Sequence, residues 1–288
     1  MNKREIKNNF KNIMVVCVAC FSILILVMIF GFIIKESVPA ISREGFKLFS
    51  GMLWYPTHSE PEYGLAAMFI GSLLITLLTA VIVLPLGYII AFFMYGYAKP
   101  WEKNIIKSSI DLLSGVPSVI IGSFLLVYVA PIFFKLGAWS RENILLGAVG
   151  LTILSLPYTA SLMEEAMSSV DKSMKEGALA LGATKFRAGF SVISKAAMPG
   201  LMNAVILTLN RIIGETMVVL MASGGAAIIP MSLWDPVRPL TAAIASEMGE
   251  VELGSIHYSS LFAAGLVLLT ISFILTLISK KISRRSSK

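Results

Sequence analysis

The sequence predicts an all-α integral membrane protein with six transmembrane helices. Three observations lead there. Charged residues make up 14% of the 288 residues, where a soluble domain carries about 25%. Hydrophobic residues make up 56%, the mean hydropathy is +0.81, and the apolar residues fall in long runs, not in the stripes of a soluble core. Lysine and arginine cluster on alternate connections between those runs, which is the pattern of membrane topology.

The first run is Ile13 to Ile34, 22 residues, or roughly 33 Å as a helix. It is too long for a signal-peptide core, and Lys35-Glu36-Ser37-Val38-Pro39 is no small-residue cleavage site, so the run is expected to stay as an anchor. The second, Leu65 to Ala98, contains Pro85 and Gly87. The third, Ile105 to Phe134, is broken by Gly115-Val116-Pro117. The fourth is Ile144 to Met163, with Pro157; the fifth Leu201 to about Ser223; the sixth Leu261 to Ser279. Proline is tolerated in such helices because neighbouring groups re-satisfy the carbonyls it frees. The expected division is an anchor helix and outside loop over 1–66, a permeation bundle over 67–279, and a basic tail over 280–288, with Ser283 to Lys288 read as disordered.

Orientation follows from the connections. With the N-terminus inside, segments 1–12, 99–107, 164–200 and 280–288 hold 17 basic residues; the outside segments 35–64, 135–143 and 224–260 hold 6. The positive-inside rule then places both termini in the cytoplasm of a multi-pass cell-membrane protein. Trp54, Tyr55 and Tyr63 in the first outside loop read as interface aromatics. Trp234-Asp235-Pro236 reads as a turn and Leu240 to Glu250 as a short amphipathic helix, which either packs on the bundle, forms part of an outer gate or meets a partner.

These features also exclude function classes. The net charge of +7 comes from residues flanking apolar runs, so it is no nucleic-acid footprint. Cys17 and Cys20 lie together in the first run with no βαβ pattern around them, and are expected to pack between helices. An intramembrane enzyme would need clustered His, Asp, Ser or Cys; His58 and His257 lie in outside loops with no partner suggested by spacing. No catalytic residue, metal or cofactor is expected. Asp111, about a turn beyond Lys107, is read as snorkelling or answering a helix N-terminus, with a substrate contact as the alternative.

Two segments carry the functional reading. In 164–200, Asp171 caps a helix from Lys172 to Leu181, Gly182 ends it, and Thr184 caps a second helix from Lys185 to about Met198. The result is a cytoplasmic elbow whose Leu179, Leu181, Phe186, Phe190 and Val192 require a partner, in this chain or another. In the fifth run Arg211 and Glu215 stand four apart, on one face of a continuous helix, with Asn210 beside them. A mid-membrane charge costs about 2.5–3.5 kcal/mol on insertion scales, so the two should face a bundle interior or an aqueous cavity and partly neutralise each other as an ion pair. Arginine suits an oxyanion because its planar fork of donors stays charged, and a carboxylate that competes for it would keep the anion from being trapped. Gly214 is expected to allow close approach of a helix or ligand.

Glu176-Gly177-Ala178 followed by Gly182 resembles the coupling loop of type I ABC importer permeases; Lys195 stands where that pattern has a proline. Arg211-Ile212-Ile213-Gly214-Glu215-Thr216 resembles the corresponding segment of the phosphate-specific permeases of the PstC/PstA family. Pro85-Leu86-Gly87 and Gly115-Val116-Pro117-Ser118-Val119 agree, and His257-Tyr258 fits the C-type subunit. The resemblance implies a type I permease fold in which Arg211, Glu215, Asn210 and Thr216 line the substrate pathway and Glu176, Gly177, Ala178 and Gly182 couple to an ATPase. It also implies the partners: a cytoplasmic ATPase dimer, a second homologous permease, an extracytoplasmic phosphate-binding protein and inorganic phosphate. The chain has no Walker-type loop, so ATP hydrolysis is expected in a separate subunit. Molybdate or sulfate is the alternative cargo.

Overall fold

The computed structural model describes residues 3–286, and side chains over 13–282. Helix α1, Lys3–Glu44, runs well past the expected end at Ile34 and carries Pro39 inside it. The polar stretch 35–39 does not stop it. Ser37 and Ser42 donate to the carbonyls of Ile34 and Pro39 on either side of the proline turn. A one-turn helix α2, Lys47–Ser50, leads to a two-stranded antiparallel hairpin, β1 Trp54–Tyr55 and β2 Glu62–Tyr63, the one departure from all-α among the described residues. Trp54 and Tyr63 were expected at the bilayer surface; they are buried instead, in a cluster with Leu48, Leu65 and Leu261.

Helix α3 covers Ala66–Gly96. The third apolar run breaks where Gly-Val-Pro predicts, giving α4, Pro100–Ser114, which buries none of its residues, and α5, Ser118–Lys135, with a π-turn at Leu125–Val129. Helix α6, Ile144–Ser168, starts at Asn143, whose buried side chain accepts from the Leu146 amide at 2.9 Å. Helices α3 and α6 form the centre of the bundle. At Gly87 a Cβ would sit 2.7 Å from the Thr159 methyl, so only glycine lets the two helices approach this closely.

Next come α7, Lys172–Ala180, and α8, Lys185–Ala196, the latter with a π-turn at Ala188–Ile193. A 72° bend separates α8 from α9, Met198–Ile213. Helix α10 is Met217–Ala222, α11 Leu240–Glu247 and α12 Ile256–Ser286. Among the described residues, five helices are long and apolar enough to span a bilayer, six if the bent pair counts as one span. The tail read as disordered from Ser283 is helical through Ser286; residues 287 and 288 lie outside the described residues. The free cysteines Cys17 and Cys20, expected to pack between helices, are exposed on α1. The hairpin marks one end of the bundle and the α7–α8 elbow the other.

Candidate translocation site

Arg211 occupies the last turn of α9. Its side chain is exposed, and its guanidinium carbon stands 5.1 Å over the Tyr158 ring of α6. The ion pair expected with Glu215 does not form: among the described residues, no carboxylate lies within 4.0 Å of Arg211. The reason is local. Helix α9 ends at Ile213, Gly214 sits at its C-cap, and the Glu215 amide folds back to the Ile212 carbonyl at 3.1 Å. The two residues therefore do not share a continuous helix face. Gly214, expected to admit a close neighbour, meets only the backbone of its own turn; it stands at the C-cap of α9 with φ −88° and ψ −5°.

The broken segment is held in place. Thr241 donates its hydroxyl to the Glu215 carbonyl at 2.9 Å, and Thr216 donates weakly to the Gly214 carbonyl at 3.4 Å. The Ser272 hydroxyl donates to Asn210 Oδ1 at 2.5 Å, which ties α9 to α12. Ser279 likewise donates to Asn203. Of the four pathway candidates, then, Arg211, Glu215 and Thr216 gather at the break between α9 and α10, while the Asn210 side chain turns to a neighbouring helix.

The elbow forms as its sequence reads. Asp171 accepts from the Ser173 amide at 2.9 Å, and these hydrogen bonds hold its carboxyl below the usual carboxylate range. Gly182 has φ +84°, and Thr184 accepts from the Arg187 amide at 3.2 Å. Glu176 and Gly177 are exposed and Ala178 half-buried. Leu181 is 91% exposed, and Phe186 and Phe190 stack at 5.7 Å on the open surface. Phe186 also packs edge-on against Phe92 of α3, and Lys175 lies over Tyr95 at 4.6 Å. The elbow is thus fixed to the bundle on one side and presents apolar side chains on the other.

Two polar clusters escaped sequence reasoning. At the elbow end, buried Glu164 of α6 accepts from Lys103 at 2.5 Å and Lys107 at 3.3 Å, both on α4. At the hairpin end, Glu247 accepts from Arg238 at 2.6 Å, His257 at 2.6 Å and the Trp54 indole at 3.1 Å. His257, which spacing left without a partner, thus has one. Glu247 and His257 are only ten residues apart, but Trp54 is 193 residues from Glu247, a pairing no local pattern encodes. Helix α11 packs its first turn, Leu240 to Ala243, into the bundle. Asp235 accepts from the Met231 and Ser232 amides and the Trp139 indole, and these bonds hold its carboxyl below the usual range.

A bundle of apolar helices that carries an exposed arginine at a helix break, and an elbow with a bare apolar face at one end, is the membrane-embedded half of a transporter whose driving force enters through another subunit. The comparisons with known proteins specify which. The family model of "Binding-protein-dependent transport system inner membrane component" matches residues 83–288, and the chain belongs to that family. It is 38% identical over 234 residues to a probable ABC transporter permease protein, YqgH, of Bacillus subtilis, covering 81% of this chain and 75% of that one. It is 28% identical to the phosphate transport system permease protein PstC of Haemophilus influenzae, covering 91% of this chain and 89% of that one. Among solved structures, a permease chain of a bacterial ABC transporter that imports alginate superposes with a TM-score of 0.66 at 12% identity, covering 99% of this chain and all of that one. The fold is that of a type I importer permease. The chain is a multi-pass inner-membrane transport subunit, not an enzyme; ATP hydrolysis belongs to a separate subunit, and a substrate-binding protein delivers the cargo.

Proposed function

We propose that this chain is the C-type permease subunit of an ATP-driven phosphate importer and forms part of the phosphate pathway by alternating access. The observation that carries the reading is the open guanidinium of Arg211, aimed away from any carboxylate and resting on an aromatic ring. An exposed cation–π contact is worth about 0.5–1 kcal/mol, much less than a charge-assisted bidentate bond to an oxyanion. A phosphate arriving at the break between α9 and α10 therefore displaces Tyr158 easily. Glu215 and Thr216 line the same break, and Asn210 positions Arg211 by anchoring α9 to α12 through Ser272. Several relatives over most of the chain are phosphate permeases by name, which favours phosphate over sulfate or molybdate.

In this reading both termini and the elbow are cytoplasmic, and Glu176, Gly177, Ala178 and Gly182 present the elbow to an ATPase dimer. A second homologous permease completes the pathway, and an extracytoplasmic phosphate-binding protein docks at the hairpin end. The test is uptake of labelled phosphate by the assembled transporter. Arg211→Gln is expected to abolish uptake while the subunits still co-purify. Wild-type uptake by that variant would refute the role of Arg211. Competition by excess sulfate or molybdate as strong as by phosphate would refute the choice of cargo.

A further inference from the structure

The polar face that begins at Tyr158 continues along α6. Tyr158, Ser161, Glu165 and Ser168 follow at intervals of three, four and three residues, which sets them along one side of the helix. Ser161, Glu165 and Ser168 are exposed, whereas the interleaved Pro157, Ala160, Met163, Glu164 and Met167 are buried in the bundle. An ionisable side chain turned to lipid is costly, and such residues in a span face a protein interior or water. The stripe leads from the arginine toward the elbow end. There it borders a cavity of about 490 Å³ that also takes in Lys103, Lys107 and Asp111 of α4.

The lysines are not used up by Glu164. Their side chains are 32% and 51% exposed, against 7% for the carboxylate they share. Each ammonium carries three donors, and one of them goes to Glu164.

We propose that Lys103 and Lys107 form a second, weaker oxyanion site, where the anion leaving Arg211 is held before it is released at the elbow end. This rests on the phosphate-importer reading above. The two sites differ in the way a one-way route requires. Arg211 offers a planar fork with no competing carboxylate in reach. The lysines are point charges, already shared with Glu164 and faced by Asp111 and Glu165. The ammonium donors left over from Glu164 are what hold an oxyanion, while Asp111 and Glu165 repel it and keep its stay brief. Affinity therefore falls along the route, from a guanidinium that captures to an ammonium pair that lets go.

The test uses the whole transporter, with its ATPase and binding protein, in proteoliposomes. Lys107→Gln is the informative variant, because Lys103 still neutralises Glu164. It is expected to lower the maximal rate of labelled-phosphate uptake about tenfold, equivalent to about 1.4 kcal/mol on the barrier. The concentration for half-maximal uptake should stay unchanged, since capture lies upstream. Lys107→Arg, which keeps the charge but adds a fork that grips the anion, should be faster than Lys107→Gln and still slower than wild type. Glu165→Gln, which removes a repelling charge, should slow transport by prolonging the stay at the lysines. A wild-type rate for Lys107→Gln overturns the proposal, as does a loss that follows reduced co-purification with the ATPase, or a Lys107→Arg variant as slow as the Gln one. In each of those cases a dead Arg211→Gln transporter leaves the importer reading standing. A wild-type complex that moves no phosphate at all defeats that reading first.

Discussion

Glu164 shows what membrane burial does to one carboxylate. It sits in the last turns of α6, and its cost of burial is offset by two lysines whose own heads reach the cavity. That arrangement is asymmetric. Replacing Glu164 with Gln leaves two partly exposed ammonium groups that turn to water, a loss of about 1.5–3 kcal/mol for the charge-assisted bonds. Replacing both Lys103 and Lys107 with Gln strands a buried charge, which costs about 3–5 kcal/mol. Thermal unfolding of the purified complex is therefore expected to show a smaller shift for Glu164→Gln and a larger one for the double lysine variant. Equal shifts would mean that Glu164 is not buried in the folded membrane protein. Arg211 illustrates the opposite case, a charge left open where a helix ends. The residue type was legible in the sequence; its lack of a counter-ion was not, because α9 ends at Ile213 inside what reads as one continuous apolar run.

Among the elements, those set by local chemistry were readable and those set by distant contacts were not. The elbow is the clearest instance. Asp171, Gly182 and Thr184 each act within three residues of themselves, and all three caps form where the sequence places them. The break at Gly115-Val116-Pro117 was readable for the same reason. The continuation of α1 through Pro39 was not, since a proline reads locally as a stop and α1 instead runs on to Glu44. Nor was the burial of Trp54 and Tyr63, which rests on Glu247 and His257 nearly 200 residues on. The elbow also yields a prediction. At φ +84°, any side chain at position 182 is strained, so Gly182→Ala should cost about 1 kcal/mol locally. A substitution there misaims α7 against α8. Uptake is expected to fall and ATP hydrolysis to lose its stimulation by the loaded binding protein, with the subunits still co-purifying. Normal stimulation would show that the angle of the elbow does not carry the coupling.

At the scale of the whole molecule, apolar surface is distributed unevenly, and that asymmetry sets its surroundings. None of the most apolar stretch of α1 is buried by the rest of the chain, whereas that of α6 is largely buried. The bundle thus turns some helices to lipid or to a second subunit and keeps others for its centre. Which end faces the cytoplasm rests on the excess of basic residues, 17 against 6, at the elbow end and the two termini. Two exposed leucines make this testable, Leu181 on the elbow and Leu253 in the loop after α11, 91% and 81% exposed. With Cys17 and Cys20 replaced by Ser, Leu253→Cys should react with a membrane-impermeant maleimide added to sealed right-side-out vesicles. Leu181→Cys should react only after the vesicles are opened. The reverse pattern would invert the bundle, put the apolar face of the elbow out of reach of a cytoplasmic ATPase, and remove the mechanical route on which the proposed mechanism rests.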